Sequence, residues 1–226
     1  MKELSIIAHA RLFEQLTPEE VSQVLPLLQP RRRELKKGNL LINDGAPVED
    51  IYIVLSGTLA STKLYADGHE SLLEKFFPSY CIGYDIVTTK TQRSTFFVTA
   101  LQDVQVLSFK YEKLQQPGLV PEPLRLKIID SMIALIAGES VKKTNKIEIL
   151  SRKGMRDRIM TYLSLQSSFY QSREFNIPFN RQELADYLCL NRSKLSYELS
   201  QMQKDGLIRY KKNHFEVIGG TLYRYE

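Results

Sequence analysis

Tryptophan is absent from this 226-residue chain, cysteine occurs twice and histidine three times. Each scarcity excludes a chemistry. Two cysteines, Cys81 and Cys189, cannot supply the four thiolates of an iron–sulfur cluster, nor a disulfide framework. The histidines, His9, His69 and His214, stand in three separate regions, and only His69 has a carboxylate beside it, Glu70. A cupin-like metal site asks for two or three histidines and a carboxylate gathered on neighbouring strands. No Ser-His-Asp logic, P-loop or Gly-x-Gly-x-x-Gly run is present. No apolar run nears the roughly 18–20 residues of a membrane span. The N-terminal segment is broken by His9 and Arg11, unlike a secretory signal. A soluble, cytoplasmic protein without a membrane partner is expected, and not an enzyme.

What is present is ordinary globular material, 43% apolar and 25% charged. The net charge of +5 is unevenly placed: residues 1–110 carry −1, residues 111–147 carry +2 and residues 148–226 carry +4. The last third is therefore expected to hold a polyanion-binding module, against the alternative of a merely solvated basic surface.

The first hundred residues or so read as short strands punctuated by glycine. Asp44-Gly45 and Asp67-Gly68 are turn pairs, set among runs such as Ile51-Tyr52-Ile53-Val54-Leu55 and Val104-Gln105-Val106-Leu107. Thr17-Pro18-Glu19-Glu20 reads as a helix start, with Thr17 as cap and Glu20 at the third position. The mode changes after Pro117, Pro121 and Pro123. Leu126, Ile129, Ile133, Ile136, Ser140, Lys143 and Ile147 recur at alternating steps of three and four, as a coiled-coil seam does. A second stripe, Leu124, Ile128, Met132 and Leu135, lies beside it. A helix apolar on two stripes must bury both, either as a core helix of one domain or with one stripe on the β-domain and the other on the same helix of a second subunit. The length of the seam favours the second.

Met155 to about Ser168 is expected to be helical. Asn180-Arg181-Gln182-Glu183 has capping-box spacing and opens a helix with Leu184 and Leu188 inward. A turn, Cys189-Leu190-Asn191, leads to a second helix from Arg192 to about Asp205, closed by Gly206. Leu207 to Ile218 then reads as a hairpin wing. On the second helix Leu195, Leu199 and Met202 define the inward face, and Ser193, Ser196, Tyr197 and Ser200 fall opposite at about 100° per residue. Arg192 and Lys194 flank that hydroxyl-rich face. The pattern suits a nucleic-acid groove, with Arg192, Ser193, Ser196 and Tyr197 toward bases. Lys194, Arg181, Lys211 and Lys212 would reach phosphate, and Asn191 caps the helix at that edge. Both cysteines are expected to be buried packing residues.

These three parts in this order resemble the cyclic-AMP receptor protein/FNR family of bacterial transcription regulators. Gly38 to Gly45 followed by Ile51 to Gly57 is similar to its nucleotide-binding signature. Arg181 to Ala185 followed by Asn191-Arg192-Ser193 is similar to its DNA-reading motif. The resemblance implies an α+β fold: an N-terminal double-stranded β-helix (a cNMP-binding-like β-roll) over residues 1–120, a dimerisation helix over 121–147, and a C-terminal winged helix-turn-helix over 148–226. It implies a homodimer on a palindromic double-stranded DNA site, with RNA polymerase as a further partner. In cyclic-nucleotide-binding members a Gly-Glu-Leu/Ile-Gly segment binds ribose, and an Arg-Ser-Ala/Thr segment about ten residues on binds the cyclic phosphate. Here Gly83-Tyr84-Asp85 precedes Arg93-Ser94-Thr95, so the phosphate half is kept and the ribose glutamate is replaced by Tyr84. Two readings of Arg93 and Ser94 stay open: contacts to a different small effector, or an internal structural pair. Cyclic AMP is expected to bind weakly, if at all, unless Asp85 replaces the carboxylate. The rival functions are a cupin-like metalloenzyme and a small-molecule-binding regulator of another protein.

Overall fold

The computed structural model describes residues 2–68 and 70–219. Contacts divide the chain into two compact units, Met1–Glu139 and Ser140–Glu226. Among the described residues no helix is long and apolar enough to cross a membrane.

The first unit begins with helices α1 (Lys2–Ala8) and α2 (Pro18–Leu27), separated by a short 3₁₀ turn at Arg11–Phe13. Strands follow: β1 (Arg31–Leu35), β2 (Leu40–Ile42), β3 (Asp50–Ser56), β4 (Leu59–Leu64), β5 (Glu70–Phe76) and β6 (Cys81–Ile82). After a single helical turn α3 (Tyr84–Val87) come β7 (Phe97–Ala100), β8 (Val104–Lys110) and the short α4 (Glu112–Gln115). The strands form two four-stranded antiparallel sheets, ordered β1-β8-β3-β6 and β2-β7-β4-β5. This is the β-roll that the resemblance implies. Its core holds Leu12, Phe13, Ile51, Ile53, Leu59 and Phe109, all essentially inaccessible to water.

Local chemistry explains the boundaries. The Thr17 hydroxyl accepts from the Glu20 N–H at 3.2 Å, and the Glu20 carboxylate accepts from the Thr17 N–H at 2.9 Å. The capping box therefore forms where the sequence placed it. Lys127 donates to Glu20 at 2.7 Å and, together with the Thr17 N–H, holds that carboxyl below its ordinary range. Between β3 and β4, Gly57 takes φ +84°, and a Cβ there would lie 2.4 Å from the Asp103 carbonyl oxygen. Only glycine fits this corner.

Helix α5 (Glu122–Ser151) runs 30 residues. Its two stripes separate as the periodicity requires: Ile128 and Met132 are buried in the β-roll core, with Leu124 and Leu135 packed partly against it. Leu126, Ile133, Ile136 and Ile147 face outward, and Ile133 is 60% exposed. A chain that covers one apolar stripe and leaves the next in water carries an unpartnered surface.

The second unit contains α6 (Met155–Tyr170), β9 (Glu174–Asn176), α7 (Arg181–Tyr187), α8 (Arg192–Lys204), β10 (Ile208–Lys211) and β11 (His214–Val217). The expected hairpin forms, with Lys211 opposite His214. A third strand, β9, pairs with β11 through Phe175 and Phe215 and was not foreseen. One expectation is reversed: Cys189 is exposed, while Cys81 is buried. The Cys189 N–H donates to the Asp186 carbonyl and the Leu190 N–H to the Ala185 carbonyl. That pair of bonds closes α7 as a Schellman motif, with Cys189 in the left-handed position at φ +52°. A residue in that position projects from the helix end into solvent.

Candidate nucleic-acid interface and effector loop

The helix-turn-helix is built from its caps outward. Asn180 Oδ1 accepts from the Glu183 N–H at 3.0 Å, and Glu183 accepts from the Asn180 N–H at 2.7 Å, which fixes the start of α7. Leu184 and Ala185 are buried beneath it. Asn191 Oδ1 accepts from the N–H groups of Ser193 and Lys194, which fixes the start of α8. Asn191 is thus a capping residue, and its side-chain oxygen is occupied. On α8, Leu195, Leu199 and Met202 are fully buried. Arg192, Ser193, Lys194 and Tyr197 are exposed, and Ser196 and Ser200 are half-buried at the edges of that face. Tyr197 stands 66% exposed, which is costly for an aromatic ring in water unless something covers it.

Glu198, on the flank, bonds Arg156 at 2.6 Å, and Arg156 also reaches Asp205 at 2.7 Å. These two carboxylates, one in α8 and one just past its end, are held by Arg156 of α6. Pattern reading missed Arg156, because its partners lie more than forty residues away.

Arg181 is placed differently from its neighbours. Its guanidinium lies over the Tyr210 ring at 4.9 Å and the Phe215 ring at 5.8 Å, and it donates to the Lys212 carbonyl at 3.4 Å. Burial holds its pKa below the usual arginine value. It ties α7 to the hairpin β10–β11, whose Tyr210 and Phe215 rings stack at 5.7 Å. Lys211 and Lys212 are exposed at the tip, Lys212 at φ +57°.

Within this second unit, the end of α5 is joined to the helix-turn-helix by Lys146. Its ammonium sits 3.3 Å over the Tyr187 ring centroid and donates to the Tyr187 carbonyl, in the last turn of α7. Tyr187 itself stacks on Phe179 at 4.9 Å. Desolvation lowers the Lys146 pKa to about 8, partly opposed by Cys189. The folded value lies below the unfolded value of about 10.4. Between these values the unfolded chain binds more protons, so this group makes stability rise with pH from about 8 to about 10. Urea unfolding of the parent and of Lys146→Met at pH 7.5, 8.5 and 9.5 is expected to show the parent gaining relative to the variant. Parallel profiles would refute the assignment.

The loop expected to hold an effector lies in the β-roll. Gly83 takes φ +89°, and a Cβ there would lie 2.8 Å from the Asp50 carbonyl oxygen. Tyr84, at the first position of α3, is 6% exposed. Burial, then the nearby Glu139, Asp85 and Glu74 carboxylates, push its phenol well above the ordinary tyrosine range. Asp85 is half-buried. Arg93 is exposed and donates to the Gly45 carbonyl at 2.6 Å. Ser94 is buried, donates to the Phe96 carbonyl at 2.7 Å and accepts from the Phe96 N–H at 3.3 Å. Backbone bonds from Gly45 and Ser94 complete a short ladder between the two segments. Arg93 and Ser94 thus each bond main-chain carbonyls, of Gly45 and Phe96, and not each other. Thr95 is exposed, and its carbonyl accepts from Lys63, which also bonds Asp44 at 2.9 Å. Lys63 is a clamp that no motif marked.

His69 lies outside the described residues, and no group of three or more metal-ligating side chains gathers among the described ones. A four-thiolate cluster does not fit this chain, because its two cysteines fall in different units.

Comparison with known proteins agrees with this architecture. The cyclic nucleotide-binding domain model matches residues 32–116, and the Crp-like helix-turn-helix domain model matches residues 157–218. Electron transport regulator A of Shewanella oneidensis is 24% identical over 209 residues, covering 90% of this chain and 80% of its own length. The fumarate nitrate reduction regulatory protein of Klebsiella oxytoca is 25% identical over 213 residues, covering 92% and 82%. In fold, the chain is similar to the c-di-GMP responsive global regulator CLP of Xanthomonas campestris, with TM-score 0.67, 20% identity, and 90% and 100% coverage. FixK2 from Bradyrhizobium japonicum gives TM-score 0.62 at 20% identity, over 84% and 93% of the two chains. A sensor β-roll joined to a DNA-binding helix-turn-helix, with regulators as its relatives, places the chain in the cyclic-AMP receptor protein/FNR family of transcription regulators.

Proposed function

We propose that the protein is a homodimeric, effector-responsive regulator that binds a palindromic DNA site and acts on RNA polymerase. The observation that carries this reading is the exposed face of α8, where Arg192, Ser193, Lys194 and Tyr197 stand opposite fully buried Leu195, Leu199 and Met202. Arg192, Ser193, Ser196 and Tyr197 are proposed to read base edges. Lys194, Lys211 and Lys212 are proposed to contact phosphates, with the capped N-terminus of α8 adding its partial positive charge. Arg181 contributes by holding the wing in place, and Asn191 by fixing the start of α8. The exposed stripe of α5 is proposed as the subunit seam. Footprinting on the host's promoter DNA is the test. Two protected half-sites about one helical turn (~34 Å) apart are expected, and a single asymmetric half-site would overturn the dimeric reading.

The effector, in this reading, is not a cyclic nucleotide. Ribose recognition needs an acceptor where Tyr84 is buried, and cyclic-phosphate recognition needs Arg93 and Ser94, which bond the Gly45 and Phe96 carbonyls. An unpaired buried polar group costs about 1–3 kcal/mol, roughly tenfold to a hundredfold in affinity. Isothermal titration is expected to show no sub-micromolar binding of cyclic AMP or cyclic GMP, and no change in operator affinity with either. Tight binding that also strengthened DNA binding would place Asp85 in the role of the missing carboxylate. The cupin-like alternative rested on His69 with Glu70, and the relatives above are regulators.

A further inference from the structure

The wing carries the one histidine of the second unit, His214. Strand β11 lies between β10 and β9, so His214 stands opposite Lys211 on one side and Asn176 on the other. Two residues along, Glu216 stands opposite Arg209 and Glu174 in the same way. Directly opposed residues, and alternate residues of one strand, share a face of the sheet. The other face is closed by Phe175, Phe215 and Val217, all buried. Arg181 approaches from that other side, over the Tyr210 and Phe215 rings.

Fixed charges surround the imidazole on the outer face. Lys211 and Arg209 come from β10, Glu174 from β9 and Glu216 from its own strand, with Lys212 in the turn just before it. Arg209 bonds Glu216 at 3.2 Å. The ring Nε2 lies 2.9 Å from Glu174 Oε1. Its Nδ1 lies 3.1 Å from Asn176 Oδ1. On the sheet face the two cations and two carboxylates cancel. The proton on His214 therefore decides whether that face is neutral or positive.

The ring can take either form here. A neutral imidazole has a single N–H and donates to one of the two oxygens, whereas the imidazolium donates to both. For a neutral ring, the Asn176 amide would turn over and donate instead. Imidazole is also the side chain that ordinarily changes charge between about pH 5 and 8. A negative charge brought close to such a ring favours its protonated form.

DNA brings that charge. We propose that His214 couples DNA binding to proton uptake: a backbone phosphate held by Lys211 draws a proton from solvent onto the ring, and the imidazolium strengthens the hold of the wing on that phosphate. This rests on the reading of Lys211 as a phosphate contact. Coupling between two ligands is reciprocal, so the affinity for DNA rises as the pH falls through the imidazole range.

The test is isothermal titration of the full-length protein with the host's promoter DNA, at fixed salt from pH 6 to pH 8. Buffers of different ionisation enthalpy count the protons taken up. The parent is expected to take up a fraction of a proton per chain near pH 7, and to bind at least about threefold tighter at pH 6 than at pH 8. His214→Gln cannot titrate and is expected to lose that uptake and flatten the profile. His214→Lys carries its charge throughout the range and is expected to bind at pH 8 about as the parent does at pH 6, again without the uptake. Both substitutions fall on the solvent face of the sheet and leave its buried face untouched. Equal uptake and parallel pH profiles in the parent and His214→Gln would overturn the coupling and leave the DNA-reading surface standing. Failure of the parent to bind at any pH would overturn both.

Discussion

Ile133→Asp is expected to convert the protein to a monomer and to lower its affinity for operator DNA by about a hundredfold or more. Ile133 is 60% exposed at the centre of the α5 stripe, one residue along from Met132, which is buried in the β-roll core. The substitution therefore touches the outward stripe and leaves the inward one intact, so the fold itself is expected to survive. In a dimer seam the new carboxylates would face each other across a closely packed interface, where uncompensated burial costs several kcal/mol. The DNA consequence follows from linkage: in a dimer the second half-site is bound at high effective concentration once the first is engaged, and a monomer loses that term. Light scattering and a gel shift on the same preparation decide the matter. A monomeric parent, or an Ile133→Asp dimer that binds DNA as the parent does, would move the interface elsewhere on the chain.

The features that were legible in the sequence are those set by short-range chemistry. Thr17 with Glu20 and Asn180 with Glu183 form capping boxes because both halves of each box lie within one turn. The stripe of Ile128 and Met132 and the stripe of Ile133 and Ile136 were separable because helical period alone fixes their angle. What escaped was set by partners distant in the chain. Strand β9 is three residues long and exists by pairing Phe175 with Phe215, some forty positions on. Arg181 stood out in the sequence only as a cation near the motif, and its place over the Tyr210 and Phe215 rings depends on the wing some thirty positions on. Cys189 is expected to be buried because cysteine is small and apolar and usually packs inside. The Schellman bonds from the Cys189 and Leu190 N–H groups turn it outward instead. The effector loop was half legible: Gly83 marks a corner only glycine can make, yet no pattern showed Ser94 bonding its own turn.

The recognition helix carries the second large effect, and two alanine variants separate its components. Arg192 is exposed in the first turn of α8, beside the capped N-terminus, and has no protein partner among the described hydrogen bonds and ion pairs. An arginine so placed can make a bidentate contact to a guanine edge, and Arg192→Ala is then expected to cost about 1–3 kcal/mol and to relax sequence preference at that base pair. Lys211, at the end of β10 beside the wing tip, is equally exposed but lies on a different element. As a phosphate contact it carries no sequence information. Lys211→Ala is therefore expected to weaken all sequences alike and to flatten the salt dependence of binding by about one phosphate. The measurement is a salt titration of binding to operator and to scrambled DNA for the parent and both variants. If Arg192→Ala lowered both affinities equally and Lys211→Ala changed only the operator, the two roles would be exchanged. If neither variant differed from the parent, α8 and the wing would not be the DNA-reading surface.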